Sequence, residues 1–324
     1  MMKTLINLLP LLALSGCLAV NVDVGGHRGD YTEKTVDGDG DARAKIALID
    51  VEGVLTSEHS DSLFATRESQ IVAFVEKLKL VEADADVKAV IVRIDSPGGD
   101  VTTSDILYHE LAGFKTRRKI PVVAAFMGVA ASGGYYLASA ADVIVAHPTT
   151  ITGSIGVISL HVSLAGLLEK IGVKVEALKS GINKDMGSPF RAMTDDDKKL
   201  LQTLIDQFYA RFVTVVAKGR EGRLTEDQVR KLADGRVYTA EQALEAKLVD
   251  RVGYLADAVA EARVRAGGLE KVRIVMYSRR PGRIDNAYSG TPTAEVFVGG
   301  DLEQAKKLLG FHCYYLWEPY LLGK

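Results

Sequence analysis

Cysteine is scarce in this chain of 324 residues: there are two, Cys17 and Cys313. Two thiols cannot build a zinc cluster from cysteines, and no metal or other cofactor is expected. A surplus of charge of one sign is also missing. With 40 basic and 42 acidic residues the net charge is -2, which gives no reason to expect nucleic acid as a partner. Long apolar runs are lacking too. The N-terminal stretch from Leu5 to Ala13 is broken by Asn7 and Pro10 and falls far short of the roughly 20 residues that span a bilayer. No internal repeat stands out. What remains, 47% hydrophobic and 25% charged residues, is close to the average for a globular enzyme.

The N-terminus has the layout of a secretory signal: Met1-Met2-Lys3, the short apolar core, then Leu14-Ser15-Gly16-Cys17. The last four residues resemble a bacterial lipobox, in which the cysteine is lipidated and becomes the mature N-terminus. Lipid on Cys17 would tether the chain to a membrane face and leave Cys313 without a disulfide partner. A plain signal peptide or an uncleaved anchor are the other readings. Residues 18–44, rich in Gly and Asp, read as a flexible tether.

From Lys45 onward strand and helix patterns alternate. Strands are predicted at 45–51, 87–94, 121–127, 143–146, 155–160 and 173–178. Helices are predicted at 69–83, 103–115, just after Ser132, and at 162–171. Such alternation favours an α/β fold with a mainly parallel sheet and covering helices. After Pro189 the chain reads as helical. Thr194-Asp195-Asp196-Asp197 opens a helix whose apolar stripe runs from Leu200 to Val216, suited to core packing or to subunit contact. Thr225 to Gln228 and Thr239 to Gln242 resemble capping boxes. A last helix is expected at 253–265. The aromatic tail around Phe311 to Leu322 reads as a packed arm, with subunit or membrane contact as alternatives.

Three segments carry chemistry. Ser132 lies in Gly128-Val129-Ala130-Ala131-Ser132-Gly133-Gly134-Tyr135-Tyr136, at a strand-to-helix junction among residues with little side chain. There a hydroxyl is open to a substrate backbone, although the same pattern serves tight strand–helix packing. Upstream, a strand ends in Ser96-Pro97-Gly98-Gly99. Paired glycines expose N–H groups that can hold an oxyanion, or form an ordinary βα turn. Downstream lies Lys179-Ser180-Gly181-Ile182-Asn183-Lys184-Asp185, in a glycine-containing loop. A lysine serves as general base only when burial favours its neutral form, and most loop lysines stay solvated.

Taken with Thr152-Gly153-Ser154-Ile155-Gly156-Val157, these segments closely resemble the signal peptide peptidase A family, bacterial Ser/Lys-dyad serine proteases of the S49 class. The resemblance covers roughly Lys45 to Ala266. It implies Ser132 as nucleophile and Lys184 as base. It also implies Gly98, Gly99 and Gly133 around the oxyanion, with N–H groups from Gly99 and Gly133, and Ser154 as a partner orienting the lysine. A crotonase/Clp-protease-like spiral of ββα units with a second small sheet is implied as well. So are a homo-oligomer with active sites facing an enclosed space, signal peptides as substrates, and the bacterial cell envelope as location. The domain reading is then a lipoprotein signal over 1–17, the tether over 18–44, an S49-type protease domain over 45–278, and a linker with the aromatic arm over 279–324.

Other readings stay open. His147 is a rival base, whereas His109 and His161 lack a nearby acid pattern. Acyl-CoA chemistry of the crotonase type also uses paired glycine N–H groups. A non-catalytic envelope scaffold would keep the fold without needing Ser132 or Lys184. Asp185 would raise the proton affinity of a lysine beside it, so it is expected to turn away, toward a backbone N–H or Arg191.

Overall fold

A computed structural model describes residues 31–57, 60–62, 65–67, 69–279, 286–288 and 313–317. Cys17 and the rest of the N-terminal signal lie outside the described residues. The strands are β1 (Thr32–Gly38), β2 (Lys45–Glu52), β3 (Ser60–Ser62), β4 (Ala65–Arg67), β5 (Val87–Ser96), β6 (Gly98–Asp100), β7 (Val122–Ala131), β8 (Val143–Ala146), β9 (Ile151–Gly153), β10 (Val237–Thr239), β11 (Arg251–Val252), β12 (Arg273–Ser278) and β13 (Tyr314–Leu316). The helices are α1 (Gln70–Ala83), α2 (Val101–Arg118), α3 (Gly133–Ala138), α4 (Ala165–Lys170), α5 (Asp195–Gly219), α6 (Glu226–Leu232), α7 (Ala240–Glu245) and α8 (Leu255–Arg265).

The main sheet has the order β1-β12-β2-β5-β7-β8-β11, with β9 continuing the pairing of β7 and β10 pairing with β9. Every pair is parallel except β1 with β12 and β9 with β10. The period-2 alternation of strand side chains gives the sheet two buried faces. Ala47, Ile49 and Val51 of β2 pack with Val90, Val92 and Ile94 of β5 into a core shared with α1, α2, α3 and α5. Ile46, Leu48, Ala89 and Ile91 face the other way, against Leu255, Ala258 and Ala262 of α8. A sheet covered on both sides needs near-continuous apolar strands, which is why 87–94 and 121–127 are so apolar.

Several elements differ from the sequence expectation. The strand predicted to stop at Met127 runs on to Ala131 and delivers Ser132 directly, because small residues at 128–131 let β9 pair beside it. Thr32–Gly38, inside the expected tether, is a strand. Only Val36 is buried there, and pairing with β12 rather than side-chain burial fixes it. The strands predicted at 155–160 and 173–178 do not form. Ile158 makes an isolated bridge, and 173–178 is exposed coil with no partner strand among the described residues. The helix predicted at 162–171 shortens to Ala165–Lys170. Thr194, Thr225 and Thr239 each close a capping box, with Asp197, Gln228 and Gln242 respectively.

Candidate active site

Ser132 stands between the end of β7 and the first turn of α3. Its backbone has φ +51° and ψ −115°, a conformation that costs a non-glycine residue about 1–3 kcal/mol. Neighbouring bonds hold it there. The Ser132 N–H donates to the Gly153 carbonyl at 2.8 Å, and the Ser132 carbonyl accepts from Tyr136 N–H at 2.8 Å. The helix that follows is pinned by its two tyrosines. Tyr135 donates its hydroxyl to the Leu248 carbonyl at 2.6 Å and Tyr136 to Asp105 at 2.5 Å. Ser132 is 1% exposed, and its Oγ is buried without a hydrogen-bond partner. A buried hydroxyl is almost always satisfied, so an unsatisfied one on strained backbone sets this serine apart.

The glycine segments meet beside it. A methyl group on Gly98, whose φ is +96°, would come within 2.6 Å of the Gly133 nitrogen. One on Gly133 would collide with Ser104 Oγ and lie 3.2 Å from Gly98 Cα. Glycine at both positions therefore allows two backbones to touch at the serine. The roles of the pair then separate. Gly98 donates its N–H to Ser96 Oγ at 3.1 Å, and that hydroxyl donates on to Gly53 at 2.6 Å. Gly98 supplies space, and its N–H is already engaged. Leu55 bonds on either side of Gly99, donating to the Gly98 carbonyl at 2.8 Å and accepting from Asp100 at 2.9 Å. This parallel pattern turns the Gly99 N–H away from Leu55. Ser96 was visible in the sequence as part of a turn. Its support of Gly98 depends on Gly53, 43 residues earlier, and no local pattern signals that bond.

Ser154 sits one residue beyond Gly153, buried, with φ +48° and its N–H donated to the Arg236 carbonyl at 2.8 Å. It lines a cavity of about 620 Å³ with Gly156, Val157, Gln202, Asp206 and Tyr209. Lys184 is not at Ser132 within the chain. It is exposed on the loop before α5, and the Ser132 Oγ bonds to no group among the described residues. Asp185 turns from Lys184 as expected. It pairs with Arg191 at 3.0 Å and Lys179 at 2.8 Å, and these cations hold its carboxyl below the ordinary carboxylate range. Arg191 also pairs with Asp197 and so ties the loop to the N-terminus of α5. His147, the rival base, is occupied elsewhere. Its Nδ1 lies 2.9 Å from Thr149 Oγ1 and its ring packs edge-on against Tyr254.

The surroundings of Lys184 carry an unusual load of exposed apolar side chains. Leu167, Ile171, Val173, Val175, Leu178, Ile182 and Phe190 all face solvent, Ile182 being 82% exposed. Isolated exposed apolar side chains are ordinary, but seven within residues 167–190 are more than chance scatter on a surface.

Comparison with known proteins places these features in context. The model of peptidase family S49 matches residues 115–268, and that of Clp protease matches 48–150. The latter agrees with the parallel sheet, and the fold is of the Clp-protease-like α/β class. A putative signal peptide peptidase SppA of Enterococcus faecium is 40% identical over 71% of this chain and 66% of its own length. A putative protease of Synechocystis sp. is 44% identical over 69% of this chain and 76% of its own. Protease 4 of Haemophilus influenzae is 36% identical over 67% of this chain, which spans only 34% of that longer protein.

Proposed function

The chain belongs to peptidase family S49 and is a serine protease, and from that premise we propose that Ser132 is its nucleophile and that Lys184 of a neighbouring copy is its general base. The observation that carries this reading is the buried, unpartnered Ser132 Oγ, on strained backbone where the two glycine segments meet. The exposed Lys184 and the apolar arm around it support a base delivered across a subunit contact. Neutral Lys184 takes the proton from Ser132 as Oγ attacks the peptide carbonyl carbon. The N–H groups of Gly99 and Gly133 hold the oxyanion, each worth about 3–4 kcal/mol in the transition state. As the C–N bond breaks, the lysine ammonium protonates the leaving amine. Water then attacks the acyl-enzyme and releases the acid. Ser154, on the cavity wall beside Ser132, orients the lysine amine.

The substrates we infer are peptides presented near a membrane, remnant signal peptides among them. Lipidation of Cys17 would hold the protease at the bacterial envelope with its catalytic unit outside the cytoplasm. Among the described residues no helix is long and apolar enough to cross a membrane.

A serine-reactive acylating probe tests the dyad. It should label Ser132, as mapped by peptide mass. Ser132→Ala should abolish both labelling and peptidase activity, and Lys184→Ala should reduce both by several powers of ten. Label on another residue, or near-normal turnover by Lys184→Ala, would refute the assignment. Separately, Cys17→Ser should release the protein from membranes or leave it unprocessed, read by fractionation and intact mass. An unmodified Cys17 in a full-length, membrane-bound chain would refute lipidation.

A further inference from the structure

Three helices leave the three segments assigned to the chemistry, and one carboxylate joins them. α2 begins at Val101, directly after Gly98–Asp100, and α3 begins at Gly133, directly after Ser132. α5 follows the loop that carries Lys184. Asp105 lies near the start of α2. Its Oδ1 accepts the Tyr136 hydroxyl of α3 at 2.5 Å and lies 2.6 Å from the Arg211 guanidinium of α5.

Both ends of this link reach the site. The Tyr136 N–H holds the Ser132 carbonyl at 2.8 Å, in a helix of six residues. So short a helix gains little from its own backbone bonds, and its seating depends on its side chains. The Tyr136 ring packs against Tyr108, Phe212 and Tyr315, with centroids 5.4, 5.0 and 5.0 Å away. Apolar packing is not directional, so the hydroxyl bond fixes where the ring stops. Burial and the Asp105 carboxylate hold that hydroxyl above the ordinary phenol range, so it stays a donor. On α2, Asp100 ties the helix start to the glycine segment. Its carboxylate accepts from the Thr102 N–H at 3.1 Å and from Thr103 Oγ1 at 2.8 Å, and its carbonyl accepts from Ser104 Oγ at 2.9 Å. A shift of α2 against α3 therefore moves Gly99 against Gly133. The Asp105 and Arg211 side chains are 30% and 55% exposed, and so open an ion pair adds little to folding. What it supplies is geometry.

We propose that Asp105 is a positioning residue: by holding Tyr136 and Arg211 it sets the spacing of the Gly99 and Gly133 N–H groups around the oxyanion and seats α5 behind the Lys184 loop. The proposal rests on Ser132 as nucleophile and on those two N–H groups as the oxyanion donors. Such donors act only when they are fixed in advance at the place where charge develops, so a small loss of register between α2 and α3 is felt in the transition state and little in ground-state binding.

Casein turnover and a pair of inhibitors test this in the full-length protein. One inhibitor is an acetylated trialanine aldehyde, whose carbonyl carbon takes Ser132 Oγ and whose oxygen then lies between the donors. The other is the same tripeptide ending in an alcohol, which cannot add. Asp105→Ala and Tyr136→Phe should each lower kcat about tenfold with KM within about twofold, and should weaken the aldehyde about tenfold while the alcohol binds as before. The double variant should fall no further than either single one, because both break the same link. Asp105→Asn, which keeps an acceptor for the hydroxyl, should lie between the parent and Asp105→Ala. If the folded variants keep the parent's kcat and aldehyde affinity, or lose aldehyde and alcohol affinity alike, the link is only structural and the proposal fails. If Tyr136→Phe and Asp105→Ala do not fold, Asp105→Asn and Arg211→Gln decide by the same readings, and parental values in both overturn the proposal. Ser132→Ala separates the underlying reading, since it should lose the preference for the aldehyde altogether. A preference kept by Ser132→Ala overturns the nucleophile. A preference lost there but undiminished in Tyr136→Phe overturns the positioning role alone.

Discussion

At the scale of single residues, the site trades stability for chemistry at Ser132. Holding a serine at φ +51° costs energy that a glycine would not pay. Ser132→Gly should therefore abolish activity yet raise stability by about 1 kcal/mol, after the extra freedom that glycine gives the unfolded chain is subtracted. Denaturant unfolding of both proteins measures this. A Ser132→Gly protein less stable than the parent would show that the backbone there is relaxed. The small residues flanking Ser132 drew attention to the position in the sequence, but Ala-Ala-Ser-Gly-Gly also suits tight strand–helix packing, and the other two segments and the family resemblance were needed to single out the serine. The division of labour between Gly98 and Gly99 was not legible. It depends on Ser96, Gly53 and Leu55, which reach the pair through tertiary contacts.

At the scale of elements, the Lys184 loop shows how charge substitutes for packing. Arg191 joins Asp185 of the loop to Asp197, which caps α5, and it holds both carboxyls below their ordinary values. Groups lowered in the folded state bind fewer protons there than in the unfolded chain. Their stabilising contribution is complete above the ordinary carboxylate value of about 4 and is lost as pH falls through the lowered values. The loop should thus be protected at about pH 5.5 and loosen toward about pH 3, the direction set by these carboxylates. Hydrogen exchange across 179–193, corrected for intrinsic rates, reads this, and Arg191→Ala should loosen the loop already at the higher pH. Equal protection at both values would remove the clamp from the account. Local signals identified these elements well where they were self-contained, as in the capping boxes at Thr225 and Thr239 and the acidic helix start at Thr194. They failed where pairing decides. Alternating apolar residues marked 173–178 as able to form a strand, but among the described residues no strand pairs with it. Polar Thr32–Gly38 gave no strand signal, yet β12 offers it one.

At the scale of the whole molecule, the two-faced sheet is complete within one chain, whereas the proposed dyad is not. The core is closed on both sides by helices, and the mainly parallel α/β class was readable because parallel strands need apolar runs alternating with helices. The position of the proposed base was not readable, because a single chain leaves Lys184 in solvent beside exposed Ile182, Leu178 and Val175. On the proposed reading, a second copy that covers this arm dehydrates the lysine and brings it to a serine that lacks a partner, which would make the assembly the catalytic unit. Mixing Ser132→Ala protein with Lys184→Ala protein tests this most directly, with native mass spectrometry confirming that the two exchange into common oligomers. Each should be inactive alone. In a head-to-tail ring mixed one to one, about a quarter of sites pair an intact serine with an intact lysine, so about a quarter of wild-type activity should return. Mixed oligomers that stay inactive would contradict a site shared between neighbours.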